Sequence, residues 1–256
     1  MGGPLQAKHR WRWAAASSIG TSHKRLGTRK QDAFGVRLLG SGAFCVVVSD
    51  GAGSASHGGQ GATLVCRHLL VKFKSWFLEN QQLPTDDVIQ SWIDDLRDRL
   101  SAVAARRELT RRQFAATLVM LVAFGEQILT LQIGDSALVG RRNGTWEALC
   151  WPENGEFAST TFFVTDDPSA RLHMVRRQLE HDAFAVFSDG LESVALEHAR
   201  QQPYARFFDP MIKSVDAAEG IGKLVELSAS LAQYLDSPRL CERTDDDKTL
   251  VLISRR

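Results

Sequence analysis

With 31 basic against 30 acidic side chains in 256 residues, the chain has a net charge of +1 and no global field suited to nucleic acid or a membrane surface. It is long enough to bury a substantial core without staples, and no stretch approaches the ~18 uninterrupted apolar residues that a membrane span requires. Cys45, Cys66, Cys150 and Cys241 show no CxxC or Cys/His zinc spacing and read as reduced thiols of a cytoplasmic protein.

Residues 1–12 are basic, but no apolar segment follows them, so no secretory signal is expected. Alternation at Trp11, Trp13 and Ala15 predicts an opening strand with one buried face. The polar, basic residues 21–32 read as a loop. Residues 33–39 then lead through Gly40-Ser41-Gly42 into a hairpin with the apolar run Phe44-Cys45-Val46-Val47-Val48-Ser49.

That run ends in Asp50-Gly51, and the glycine-rich residues 51–61 open a long apolar helix from about residue 62. Pro84-Thr85-Asp86-Asp87 predicts a turn and N-cap. The helix behind it places Val88, Ile89, Trp92, Ile93, Leu96, Leu100 and Val103 at steps of three and four. Its other face, with Asp94, Asp95, Arg97, Asp98 and Arg99, is expected in solvent, as is the basic helix end 106–112.

Strands are predicted at 115–124, 127–132 and 137–141. The third pairs back through a Gly134-Asp135-Ser136 corner and leaves through Asn143-Gly144. The irregular stretch 147–168 reads as a functional loop or flap. A strand at 183–187 ends in Ser188-Asp189-Gly190, helical pieces follow at 191–201 and 204–215, and one amphipathic helix is read over 215–235. Thr244-Asp245-Asp246-Asp247-Lys248 precedes a closing strand at 249–254. Strands and helices in separate blocks, with no linker, argue one α+β domain with an antiparallel core.

Asp32, Asp50, Asp135, Asp189 and Asp246 or Asp247 all lie beside a strand end or a glycine turn. Each alone has an ordinary reading, because Asp and Gly are turn residues. Together they suit magnesium or manganese, and the absence of clustered His or thiolate disfavours zinc. Two such ions can clamp a phosphoryl oxygen and activate water for in-line attack. The glycines after Asp50 lack the Gly-Lys-Ser/Thr ending of a nucleotide-binding P-loop.

In order, Gln31-Asp32, Asp50-Gly51, Gly134-Asp135-Ser136, Ser188-Asp189-Gly190 and Asp246-Asp247-Lys248-Thr249 resemble the motifs of the PP2C-type, metal-dependent serine/threonine protein phosphatases (the PPM family). The match spans about residues 17 to 254. Gly20-Thr21-Ser22-His23 with Gln31-Asp32, and Gly155-Glu156-Phe157 in the flap, resemble a bacterial branch. The resemblance implies a four-layer αββα sandwich, two antiparallel sheets flanked by helices. It also implies two Mn²⁺ or Mg²⁺ ions with a hydroxide between them that attacks phosphoserine or phosphothreonine on protein substrates. Asp50 would bridge both ions and the Gly51 carbonyl would bind one. Asp189 and Asp32 would serve one side and Asp246 the other, with Asp135 at an additional, weaker site. A partner serine/threonine kinase is expected.

Three positions depart from the family pattern. Its early phosphate-binding arginine falls at Gly27, so the charge must come from His23, Lys24, Arg25 or Arg29, with His23 favoured and Arg25 beside it. The histidine that follows Asp-Gly in many relatives is Ala52 here, which leaves a metal-bound water or His57 to act as the acid; Asp50 and His23 are the candidate catalytic residues. Gln31 replaces a glutamate. These changes admit a second reading, a catalytically weak or inactive regulator that binds phosphoproteins. A metal nuclease or a small-molecule phosphatase is a third, and the charge balance disfavours the nuclease.

Overall fold

The computed structural model describes residues 10–153 and 161–256. Its strands are β1 (Trp11–Ser18), β2 (Ala33–Leu38), β3 (Phe44–Ser49), β4 (Leu118–Phe124), β5 (Gln127–Ile133), β6 (Ala137–Arg142) and β7 (Thr145–Cys150). They continue with β8 (His173–Gln178), β9 (Ala183–Phe187), the two-residue β10 (Leu196–Glu197), β11 (Gln202–Pro203) and β12 (Gly222–Lys223), and β13 (Lys248–Arg255). The helices are α1 (Thr21–Leu26), α2 (Gly58–Glu79), α3 (Asp86–Ala105), α4 (Glu192–Ala195), α5 (Ala205–Ala217), α6 (Val225–Leu235) and α7 (Pro238–Cys241).

Two sheets carry the structure, one in the order β12-β1-β13-β9-β6-β7 and the other β2-β3-β4-β5-β8. Every long pairing is antiparallel; only the short β12 runs parallel to β1. Because side chains alternate along a strand, each central strand feeds two cores. Phe44, Val46 and Val48 of β3 meet Phe184 and Val186 of β9 and Val251 and Ile253 of β13 between the sheets. Cys45 and Val47 point the other way, under Leu69 and Phe73 of α2 and Ile93 and Leu96 of α3. Ala185, Phe187, Leu250 and Leu252 lie under Phe208 and Ile212 of α5 and Leu231 and Leu235 of α6. The architecture is therefore the expected α+β sandwich of helices, two antiparallel sheets and helices.

Four local expectations are corrected. Gly134-Asp135-Ser136 does not close a hairpin: β6 leaves β5 and crosses to the other sheet, where it pairs with β7 and β9. Gly134 makes that crossing with φ +94°, and a Cβ there would sit 2.6 Å from the Phe162 carbonyl oxygen. The piece read at 204–215 is α5, but the helix read over 215–235 begins only at Val225, as α6, because Gly220 and Gly222 at positive φ and the β12 pairing with β1 occupy the stretch between. Only Glu192–Ala195 of the helical piece at 191–201 is α-helix; short 3₁₀ turns and the β10–β11 pair make up most of the rest. Arg97 is not on a solvated face: it is 7 % exposed and donates to the carbonyls of Val164 (2.8 Å) and Pro168 (3.2 Å). The helix periodicity placed its backbone correctly but could not show that a loop folds over that face.

Candidate active site

The aspartates converge because their strands end at the same rim of the sandwich. Asp50 and Gly51 follow β3, Asp32 precedes β2, Asp189 follows β9, Asp246 precedes β13, and Asp135 sits in the crossing from β5 to β6. Asp50, Gly51, Asp135, Asp189 and Asp246 line one cavity of about 480 Å³. Asp32 lies beneath it, 5 % exposed, with its carboxyl against that of Asp50.

So many carboxylates, most of them buried, crowded into one recess oppose their own ionisation. Burial pushes Asp32 up to about 6, although Thr249 and Ser188 donate to it at 2.6 and 2.7 Å. Burial, then the charges of Asp32 and Asp189, holds Asp50 well above the usual carboxylate range. Asp189 rises to about 7, through burial first and then the charge of Asp135. Asp135 is raised chiefly by burial, while Thr161 donates to it at 2.5 Å and opposes the shift.

One oxygen each of Asp32, Asp135 and Asp189 (Oδ1 in all three) is buried without a hydrogen-bond partner among the described residues. Orphaned carboxylate oxygens cost free energy unless something compensates them. An all-oxygen donor set with surplus negative charge fits Mg²⁺ or Mn²⁺. The residues present thus fit the metal ions that the resemblance implies.

The backbone fixes Asp50. Its N–H donates to the Thr117 hydroxyl at 3.0 Å and its carbonyl accepts from the Thr117 N–H at 2.8 Å. Thr117 is 2 % exposed, also contacts the Ser136 hydroxyl at 3.1 Å, and lines the cavity. No sequence signal marked it; only the register of β3 against β4, with Val48 opposite Val119, puts it beside Asp50. Gly51 has the backbone of α2 so close that a Cβ would stand 2.1 Å from the Gly58 carbonyl carbon. No other residue fits there.

Asp246 and Asp247 separate cleanly. Asp246 lines the cavity with 52 % of its side-chain surface open. Asp247 is 2 % exposed, and its carboxylate accepts the N–H groups of Gly20 (2.7 Å), Gln31 and Asp32 (3.4 Å). The first is free to bind an ion, whereas the second ties the loop of residues 20–32 to the start of β13.

His23 lines the cavity from α1, where a loop was expected. Its Nδ1 lies 3.0 Å from the Arg29 carbonyl oxygen, which can only accept, so Nδ1 carries a proton. Nε2 faces the Asp246 carboxylate at 3.9 Å. Arg25 does not line the cavity; its side chain is 72 % exposed and pairs with Asp245 at 3.1 Å. His57 also lies off the cavity, against the Phe114 ring and the Ser56 hydroxyl. Gln31 and Ala52 line it, as does Arg112 from the stretch expected in solvent. Gly155-Glu156-Phe157 falls outside the described residues.

Comparison with known proteins agrees with this geometry. The family model of protein phosphatase 2C matches residues 19–236. The chain is 35 % identical over 250 residues to serine/threonine-protein phosphatase 3 of Escherichia coli (strain K12), covering 94 % of this chain and 97 % of that one. Among solved structures, the serine/threonine phosphatase Stp1 from Staphylococcus aureus superposes with TM-score 0.63 at 17 % identity, covering 94 % of each chain. The catalytic domain of the serine/threonine protein phosphatase PstP, in complex with two manganese ions, gives TM-score 0.61 at 18 % identity, covering 96 % of this chain and 99 % of that one. Those two likenesses bear on the fold, and the sequence matches bear on kinship. The chain belongs to the protein phosphatase 2C family and is a protein phosphatase.

Proposed function

We propose that this chain hydrolyses phosphoserine and phosphothreonine esters on proteins with the help of two Mn²⁺ or Mg²⁺ ions. The observation that carries the reading is the convergence of five aspartates, four lining one recess and Asp32 beneath it, with three buried carboxylate oxygens left unpartnered among the described residues. Asp50 and the Gly51 carbonyl would hold the ions in common with Asp189 and Asp32 on one side and Asp246 on the other. Asp135 would serve an additional, weaker position. Bound there, the ions would polarise the phosphoryl oxygens and acidify a water for in-line attack.

The chain's own groups account for the rest. Thr117 and the Gly51–Gly58 approach keep Asp50 in place, so its carboxylate need not reorganise during the reaction. His23, with Nδ1 locked on the Arg29 carbonyl, presents Nε2 to the cavity and can protonate the departing seryl or threonyl oxygen in its imidazolium form. Ala52, which also lines the cavity, offers no such group.

A serine/threonine kinase must supply the phosphorylated proteins that such an enzyme consumes. A cytoplasmic setting fits the unpaired thiols of Cys45, Cys66 and Cys150, and no described helix is long and apolar enough to cross a membrane. The motifs from about residue 17 to 254 act in this reading as one catalytic unit. The test is Mn²⁺-dependent release of phosphate from a phosphothreonine peptide by the full chain, and its loss in Asp50→Asn. Release that does not depend on a divalent ion, or survives that substitution, would overturn the reading.

A further inference from the structure

A phosphate monoester dianion entering a recess of carboxylates needs a cation of the protein to orient it, and most of the cations near the rim are already committed. Arg25 pairs with Asp245, Lys24 with Asp236, and Lys30 donates to the Ser17 hydroxyl. Arg111 is bound to Asp167, and Arg107 donates to Gln60 and covers the Phe114 ring. Among the described residues that line the cavity, one lysine or arginine is present, Arg112, and its guanidinium makes no ion pair or hydrogen bond with any of them.

The backbone of Arg112 is nonetheless well fixed relative to the metal corner. It sits in the 3₁₀ turn Arg111–Phe114, which Thr110 and Gln113 cap reciprocally. The Ala115 N–H donates to the Arg112 carbonyl at 3.0 Å, the Ala52 N–H donates to the Ala115 carbonyl at 2.9 Å, and Ala116 bridges to Gly51. The stem of Arg112 is therefore in register with Asp50-Gly51, while its head is free to turn.

A second cavity of about 470 Å³ adjoins the first, and Arg112, Ser54, Thr161 and Phe163 line both. Arg112 thus stands at the junction between the carboxylate recess and a groove with room for the polypeptide on either side of a phosphorylated residue. The planar guanidinium fork matches two phosphate oxygens, which an ammonium cannot do.

We infer that Arg112 binds the non-reacting oxygens of the substrate phosphate, in the role that Gly27 leaves vacant and that Arg25 is too far committed to fill. The inference rests on the phosphatase reading for its substrate but makes a claim of its own about anion binding.

Its test compares wild type with Arg112→Ala, Arg112→Lys and the exposed control Arg106→Ala, all Mn²⁺-loaded. Calorimetric binding of inorganic phosphate and steady-state kinetics on a phosphothreonine peptide are measured together. Arg112→Ala should weaken phosphate binding and raise KM by about tenfold or more, as loss of a bidentate charged contact implies. Arg112→Lys should recover only part of the loss, Arg106→Ala should match wild type, and Mn²⁺ affinity should be unchanged in all three. Phosphate binding and KM unaltered in Arg112→Ala, with the wild type active, would overturn the inference and leave the phosphatase reading standing. Phosphate binding that depends on Arg112 in a wild-type protein without hydrolysis would support the inference and overturn that reading. Thermal melting of each variant checks that folding is intact. A lower Mn²⁺ affinity in Arg112→Ala would also count against the inference, because it would trace the effect to the metal corner.

Discussion

The N–H of Asp247 donates to Oδ1 of Asp246 at 2.7 Å, while the two carboxylates serve opposite sides of the chain. Asp246 faces the cavity, and Asp247 turns inward to gather three backbone donors from residues 20, 31 and 32. Two adjacent, chemically identical side chains thus have separable roles. Asp246→Asn should lower Mn²⁺ affinity and activity by about tenfold or more while leaving the metal-free melting temperature almost unchanged. Asp247→Ala strands buried N–H groups and should cost about 3 kcal/mol of stability in denaturant unfolding. Equal effects of the two on stability would refute the division.

Thr117 is the residue whose loss should harm the site without touching a charge. Replacing it with Val keeps the shape but leaves the Asp50 N–H without its acceptor. Thr117→Val should reduce kcat or Mn²⁺ affinity by about 10–100-fold, the range for partners that orient metal-binding groups. Calorimetric Mn²⁺ titration and steady-state kinetics on the same preparation distinguish the two. Wild-type values in both would mean that the β3–β4 ladder alone positions Asp50.

Much of this site is legible in the sequence because each aspartate sits where an apolar run gives way to Gly or Ser. A strand end beside a tight turn is the place where a carboxylate can leave the core. The sandwich is legible in part: continuous apolar runs such as β3 and β9 suit strands buried on both faces, while the layering follows from the resemblance and the structure alone assigns each residue to its core. Thr117 and Arg112 are invisible for the complementary reason. Neither lies in a motif, and each reaches the cavity only through pairing between segments far apart in the chain. Asp246 and Asp247 cannot be told apart by pattern, because their difference lies in which backbone donors are near. The crossing at Gly134-Asp135-Ser136 reads as a hairpin since a glycine corner looks the same whether the next strand returns to its neighbour or joins another sheet.

The raised carboxyls make metal and proton competitors for stability. In the unfolded chain an aspartate titrates near 3.9, whereas Asp32 and Asp189 in the folded, metal-free protein titrate at about 6 and about 7. Between those values the folded state binds more protons than the unfolded one, so stability falls as pH rises. The chelated protein should therefore melt at a temperature that drops from pH 4 to pH 7.5 at fixed ionic strength. Saturating Mn²⁺ at pH 7.5 should restore it by neutralising the carboxylates and by mass action. A metal-free melting temperature that stays level or climbs over that interval would show that the carboxylates do not titrate as their burial requires.

His23 can be separated from the metal groups by its dependence on the leaving group. A seryl or threonyl alkoxide is a poor leaving group and needs a proton as the P–O bond breaks, whereas p-nitrophenolate departs without help. A group acting as the acid should therefore matter for one substrate and not for the other. His23→Asn removes the Nε2 that faces the cavity yet keeps a side chain able to bond the Arg29 carbonyl. It should reduce kcat on a phosphothreonine peptide by about 100-fold, within the span that general acids contribute, and alter hydrolysis of p-nitrophenyl phosphate far less. Equal losses on both substrates would instead place His23 with the groups that hold Asp246 and its ion, which its 3.9 Å approach to that carboxylate also allows.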